Sequence, residues 1–415
     1  MTDFSPQTLL LLILIIITIS FVFGKILDFL NIKVQKKKVP EPMKDYYDQE
    51  KYEKSQEYLK VNTRFSFWSS FFSFILSFTV IAIGIFGWLD GHLRNYIENP
   101  LLLSLAFFGL IFIVSDILGT PFQLYGTFVI EEKFGFNKVT PSLFIKDKLK
   151  GYLLGILLGG PLLALLIYLI QTFGPDFWIY FWAAVSLFTL FMNFFYTTLI
   201  LPLFNKLMPL EEGELRQAIQ DYSNKVGFPL KNIFVMDGSK RSKKANAFFS
   251  GFGRKKKVVL FDTLIENHSV HELVAVFAHE VGHYKKKHIT WGYLTSTIQV
   301  GITLFIMSYL IFNANLSIAL GGNQLAIHLN LIAFAILFSP ISGITGIFMN
   351  MLSRKNEFEA DNYAATTFEG EFLKTALKKL SADNLSNLEP HPAYVFFHYS
   401  HPPLLKRLEA IKSQE

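Results

Sequence analysis

His279-Glu280-Val281-Gly282-His283 is the stretch of this chain whose residue types and spacing can do chemistry. Two histidines at i and i+4 share one helical face, so both imidazoles can reach a single Zn²⁺ at about 2.0–2.1 Å. Glu280, offset from that face, can take the proton of a water activated at the metal as it attacks a peptide carbonyl. Ala275, Ala278 and Gly282 keep the helix narrow around the two histidines. The chain has no cysteine, which excludes a disulfide framework, thiolate-ligated zinc or iron-sulfur sites and a thiol nucleophile.

A catalytic zinc keeps three protein ligands and a water, so a third ligand has to come from elsewhere. No further histidine follows at the spacing of the extended HExxHxxGxxH pattern, which leaves a carboxylate as donor. Asn356-Glu357-Phe358-Glu359-Ala360-Asp361 offers three. Read as a helix, it puts Glu357, Ala360, Asp361 and Ala364 on one face, and Glu359 with Lys355, Asn362 and Thr366 on a polar one. Glu357 is therefore the expected ligand. Asp361 is expected to lie behind a ligand and fix its orientation, and Glu359 to be a solvated side chain.

The elements that must position these residues are of two kinds. The composition is 51% hydrophobic, 16% aromatic and only 17% charged, against about 25% charged in an ordinary soluble domain. The mean hydropathy is +0.34. Forty-four Phe supply ample apolar area for collapse, so a disordered chain is excluded. Seven apolar runs are long enough to cross a bilayer: approximately residues 8–30, 66–89, 101–119, 151–170, 177–201, 289–312 and 326–349. The first lacks a basic n-region and a cleavage pattern and is read as a retained helix.

Residues 32–64 carry nine Lys or Arg and residues 120–150 carry five, whereas the alternate segments hold only Arg94. By the positive-inside rule the N-terminus is outside and the C-terminus inside. The net charge of +6 is thus chiefly a topology signal, and no nucleic-acid partner is expected. Basic stretches at 36–38, 254–257 and 285–287 suit the headgroup level of a lipid bilayer. Asp116, Asn193, Gln299 and Asn330, inside apolar runs, should face protein or water.

Two polar segments remain, 205–288 and 352–415. The first reads as a helix at 211–226, a strand at 232–236, a hairpin of 245–249 and 257–261 about a turn at 250–253, and a long helix from 271 to 288. That last helix opens on Ser269-Val270-His271-Glu272, a capping-box pattern. The second segment reads as mainly helical. The resulting organisation is 1–204 for five membrane helices, 205–288 for the first part of a protease unit, 289–350 for two more membrane helices and 351–415 for the rest of that unit.

With these motifs stand Pro121-Phe122, Thr127 to Lys138 (TFVIEEKFGFNK), Asn246-Ala247-Phe248-Phe249 and Ser400-His401-Pro402-Pro403. Together they resemble the membrane-embedded zinc metalloproteases of the CAAX prenyl protease 1 type, the Ste24 endopeptidases of peptidase family M48. The resemblance implies an all-α membrane part of seven helices enclosing a chamber, closed at its cytoplasmic end by a zincin-like α+β metalloprotease domain. It implies one Zn²⁺ per chain on His279, His283 and Glu357, with Glu280 as base. It further implies that Asn246, with Ala247 and Phe248 on an edge strand, binds substrate. His401 and Arg407 match positions that contact the substrate backbone or the developing oxyanion; read by itself, Arg407 would be a surface helix charge.

The implied substrate is a peptide or protein, prenylated or not, cut near its C-terminus; nothing sets an oligomeric state. Loops shorter than in eukaryotic members, and residues 411–415 without a retention signal, favour a bacterial inner membrane over the endoplasmic reticulum. The rival reading is a non-enzymatic seven-helix transporter or receptor with a fortuitous HExxH.

Overall fold

The computed structural model describes residues 4–36, 38–228, 232–250 and 257–412, so the expected hairpin turn and most of the basic stretch at 254–257 lie outside the described residues. The first half of the chain is helical: α1 (Pro6–Lys33), α2 (Gln49–Ala82), α3 (Ile85–Arg94), α4 (Pro100–Tyr125), α5 (Pro141–Leu154), α6 (Gly160–Phe173), α7 (Phe177–Phe195) and α8 (Leu201–Phe204). Ser5, Asp48, Asn99 and Thr140 cap α1, α2, α4 and α5 by accepting first-turn N–H groups. Proline follows three of these caps, where its missing N–H costs nothing.

Among the described residues, six helical runs are long and apolar enough to cross a membrane: Pro6–Lys33, Gln49–Ala82, Pro100–Glu131, Pro141–Phe204, His288–Leu310 and Ile327–Thr367. The seven apolar stretches of the sequence overlap these six, the second running past the end of α2 at Ala82, across left-handed Gly84, into α3, and the fourth and fifth both within Pro141–Phe204. That run turns at Gly174–Asp176, where Gly174 has φ 54°. Leu169 and Ile170 before the turn and Phe177 after it join one apolar cluster, so the two arms pack on each other.

Only 6–22% of each spanning stretch is buried by protein. Leu11, Ile19, Trp68, Ile117, Leu187 and Ile302 are exposed, an apolar surface that suits lipid better than water. This is a multi-pass membrane protein. The four polar in-span residues singled out above find protein partners: Asp116 pairs with Lys148 at 2.9 Å, Gln299 donates to Thr345 at 3.0 Å, buried Asn330 donates to the Ile311 carbonyl at 2.7 Å, and Asn193 donates to its own helix at Thr189.

Among the described residues the polar half builds a four-stranded sheet from β1 (Leu207–Pro209), β2 (Asn232–Met236), β3 (Ala247–Ser250) and β4 (Lys257–Phe261), in the order β1-β2-β4-β3. β2 and β4 run parallel, with Ile233 opposite Val258, and β3 pairs antiparallel with β4, Ala247 opposite Leu260. β3 is thus an edge strand. The short β1, which ends on a proline, was not anticipated.

The helices of this half are α9 (Glu214–Lys225), α10 (Asp262–Asn267), α11 (Val270–Lys285), α12 (His288–Leu310), α13 (Ala314–Ala319), α14 (Ile327–Thr367), α15 (Gly370–Asp383), α16 (Pro392–His398) and α17 (Leu404–Lys412). Ile219 and Tyr222 of α9, Val258 and Leu260 of β4, Phe277 and Val281 of α11 and Leu373 of α15 share one core. α11 runs through its middle. The expected helix 271–288 is instead divided: α11 stops at Lys285, Lys287 takes a left-handed φ of 59°, and His288 opens α12.

Candidate metal and active site

The capping box forms at the start of α11: Ser269 N–H donates to Glu272 Oε2 at 2.9 Å, and Glu272 N–H to Ser269 Oγ at 3.4 Å. Glu272 also pairs with Lys379 at 2.8 Å, tying α11 to α15. Three turns on, Gly282 lies against α14. A Cβ there would stand 3.0 Å from Ala360 Cα and 3.1 Å from its carbonyl oxygen, so glycine is what lets the two helices close up. This close crossing brings His279 and His283 to Glu357.

Glu357, Ala360, Asp361 and Ala364 are all buried, as the helical phase predicts. His279 Nε2 lies 3.1 Å from His283 Nε2 and 3.6 Å from Glu357 Oε2, and His283 Nε2 lies 3.3 Å from Glu357 Oε1. Ligand atoms at about 2.0–2.1 Å from a tetrahedral zinc are roughly 3.3 Å apart, so the donor set matches the ion in type and spacing. These three residues are the group among the described residues that could hold a metal.

Behind His279, its Nδ1 faces Asp361 Oδ1 at 2.9 Å. Arg407 donates to both oxygens of Asp361, from Nε at 2.7 Å and Nη2 at 2.6 Å, and its Nη1 lies 3.5 Å from Glu357 Oε2. Arg407 is therefore a half-buried partner of this cluster and not the surface charge its sequence context alone would give. His401, by contrast, is exposed, with Nε2 3.4 Å from Glu357 Oε1 and Nδ1 held by Ser400 Oγ at 3.0 Å.

A cavity of about 530 Å³ opens here, lined by Asn246, Ala247 and Phe248, by His279, Glu280, His283 and Glu357, by His401 and Arg407, and by the apolar Val276, Leu373 and Leu377. Every sequence-predicted site residue but Asp361, which sits one layer behind, lines this wall. Among the described residues none hydrogen-bonds the Glu280 carboxylate. Burial raises its pKa above the usual carboxylate range; neighbouring Glu357 adds to this, while His279, His283 and Arg407 pull the other way. Asn246 folds its Oδ1 onto the Ala247 N–H at 2.9 Å, and its carbonyl accepts from Phe261 of β4; among the described residues no strand pairs with the other edge of β3.

Residues 209–415 match the model of peptidase family M48, and residues 28–206 match that of the CAAX prenyl protease N-terminal region with five membrane helices. The CAAX prenyl protease 1 homologue of Arabidopsis thaliana is 36% identical over 96% of each chain. The chain belongs to peptidase family M48.

CAAX prenyl protease 1 of Saccharomyces cerevisiae is 33% identical over 91% of this M48 chain and 89% of its own length. The crystal structure of Ste24p from S. mikatae superposes with a TM-score of 0.91 at 33% identity, covering 99% of this chain and all of that one. This M48 member is an integral-membrane metalloprotease with a Ste24p-like fold, and a non-enzymatic transporter is not favoured.

Beside the site, His288 escaped the sequence reading and Glu359 departs from it. His288 Nδ1 lies 3.0 Å from His283 Nδ1, and His288 Nε2 lies 3.1 Å from Glu359 Oε2. Glu359 is thus not simply solvated: although 38% exposed, it is the carboxylate behind His288. The available signal was a histidine one residue short of the third position of the extended motif, at 288 instead of 289.

Proposed function

We propose that this M48 protease holds one zinc ion on His279, His283 and Glu357 and uses it to cut peptides close to the C-terminus of flexible or prenylated chains. The observation that carries the reading is the near-tetrahedral spacing of those three donors beside Glu280 in one cavity. Zinc, when bound, supplies polarisation of the scissile carbonyl and an acidified water. Glu280 takes the water's proton and passes it to the leaving amine, a role its place in the same cavity as the three donors allows. Asn246, Ala247 and Phe248 offer the free edge of β3, on which an extended peptide adds as a further strand. His401, exposed at the cavity wall, donates to the substrate carbonyl. Arg407 fixes Asp361, which orients His279, and turns its remaining nitrogen toward the site.

We read Pro141–Phe204 as two spans meeting at Gly174–Asp176, which gives seven helices around a chamber; their sparse mutual burial supports a ring over a solid bundle. The basic segments 32–64 and 120–150 support a cytoplasmic protease unit, made from 205–288 and 351–415 with the helices of 289–350 between, and an outside N-terminus. A folded protein with a flexible C-terminal tail, prenylated or not, tests the reading by mass spectrometry of its products. Cleavage is expected within the tail. Efficient cutting inside the folded domain would overturn the enclosed site.

A further inference from the structure

The two histidines of the motif are backed differently. Behind His279 stands a buried carboxylate, Asp361, in direct contact. Behind His283 stands an imidazole, His288, and only behind that a carboxylate, Glu359. We infer that His288 is a positioning residue for His283, part of a hydrogen-bonded chain from His283 through His288 to Glu359 that fixes which ring nitrogen His283 turns toward the metal. The inference rests on the proposed zinc site.

The proton placement follows from valence. His283 turns Nε2 toward His279 and Glu357, so as a ligand it binds through Nε2 and carries its proton on Nδ1. Its Nδ1–H then donates across 3.0 Å to His288 Nδ1, which must be the unprotonated nitrogen of that ring. His288 in consequence carries its proton on Nε2 and donates it to Glu359 Oε2 at 3.1 Å. Each of the three groups has one consistent role. The tilt between the two rings, 74° at 5.1 Å between centroids, excludes stacking as the reason for their contact.

His288 is a poor place for an idle histidine. It is 8% exposed, and it is the first residue of α12. The chain reaches it through Lys287, which holds a left-handed conformation that side chains other than glycine adopt rarely. A strained elbow that turns one buried ring back onto another is what a positioning role requires. Glu359 in turn is held from its other oxygen by Lys355 at 3.7 Å, one turn earlier on α14. The chain therefore links the start of a membrane helix to the metal helix and to the helix that carries Glu357.

The test uses the full chain purified in detergent, with zinc affinity measured by chelator competition and ligand geometry read from the visible spectrum of the Co²⁺-substituted protein. His288→Leu should weaken zinc binding by about 10–100-fold, the usual effect of removing a partner behind a ligand, and shift the Co²⁺ bands. His288→Asn, whose side-chain carbonyl can occupy the Nδ1 position and accept from His283, should restore affinity to within a few-fold. Glu359→Gln should weaken zinc in the parent and be silent in the His288→Asn background, where the link is already cut. Thermal unfolding of the metal-free variants separates loss of fold from loss of positioning. His283→Ala is the reference for the site itself. If it binds zinc like the parent, the proposed metal site is wrong; if it loses zinc while His288→Leu keeps parental affinity and spectrum, the site stands and the role of His288 is refuted.

Discussion

Helix α11 and membrane helix α1 are both apolar, yet they meet different surroundings. Nine of the 16 residues of α11 are buried by protein, whereas only four of the 28 in α1 are. α1 satisfies its surface with lipid, which accepts any apolar shape. α11 satisfies its own with named neighbours on β4, α9, α14 and α15, which accept only one. The same residue types thus give a tolerant wall in one region and a close-fitted instrument in the other. Substitutions should separate the two regions, and the largest effects should fall on α11.

The largest is chemical. Glu280→Gln should lower peptide hydrolysis by about 10²–10⁴-fold while zinc stays bound, because the change removes the proton acceptor and no ligand. Turnover and metal content measured on the same preparation check both halves, and near-normal turnover would remove Glu280 from its role. Glu357→Ala should instead lower zinc content together with activity, as chelation should in the parent, and added zinc should rescue the chelated parent only. Zinc retained at parental affinity in Glu357→Ala would place the third ligand elsewhere.

A steric comparison is sharper still, because it uses one substitution in both regions. Gly282→Ala puts a Cβ 3.0 Å from Ala360 Cα and 3.1 Å from Tyr363 Cβ, an overpacking expected to cost about 1–3 kcal/mol and to loosen the metal site. Gly24→Ala and Gly109→Ala meet nothing within 4 Å and should be neutral or slightly stabilising. Thermal unfolding in detergent orders the three. The membrane region has its own exception at Gly87, where a Cβ would fall 1.9 Å from the Gly321 carbonyl carbon; Gly87→Ala should disrupt that helix end as Gly282→Ala disrupts the crossing. Equal stability of Gly282→Ala and Gly24→Ala would break the comparison.

What was legible in the sequence follows the same division. α11 could be read because its cap, its periodicity and its two histidines are local, and Glu357 and Asp361 because one helical phase separates them from Glu359. Strand β2 was read to the residue, and β3 to within two at its start. β1 was missed because three residues ending in Pro209 carry no period. Arg407 could be read only through family resemblance, since its partner Asp361 is 46 residues away. His288 was hidden by the elbow before it: a lysine gives no hint of a left-handed turn, so the histidine's return onto His283 exists only in three dimensions.

That elbow, where the two regions join, sets the smallest expected effect. At φ 59° Lys287 pays a steric cost that glycine does not, about 1 kcal/mol, while glycine loses more chain entropy on folding; the two nearly offset. Lys287→Gly should therefore leave the melting temperature within a degree or two and zinc affinity unchanged. Lys287→Val has no such escape, because a β-branched side chain is an outlier at positive φ. The turn would have to open, carrying His288 away from His283. A lower melting temperature is then expected in Lys287→Val, together with weaker zinc binding that Lys287→Gly does not show. If both variants bind zinc like the parent although Lys287→Val is destabilised, the elbow serves stability alone and the coupling of α12 to the metal helix has to run through other contacts. If instead Lys287→Gly loses zinc affinity at unchanged stability, the stiffness of the turn, and not merely its direction, is what holds His288 in place.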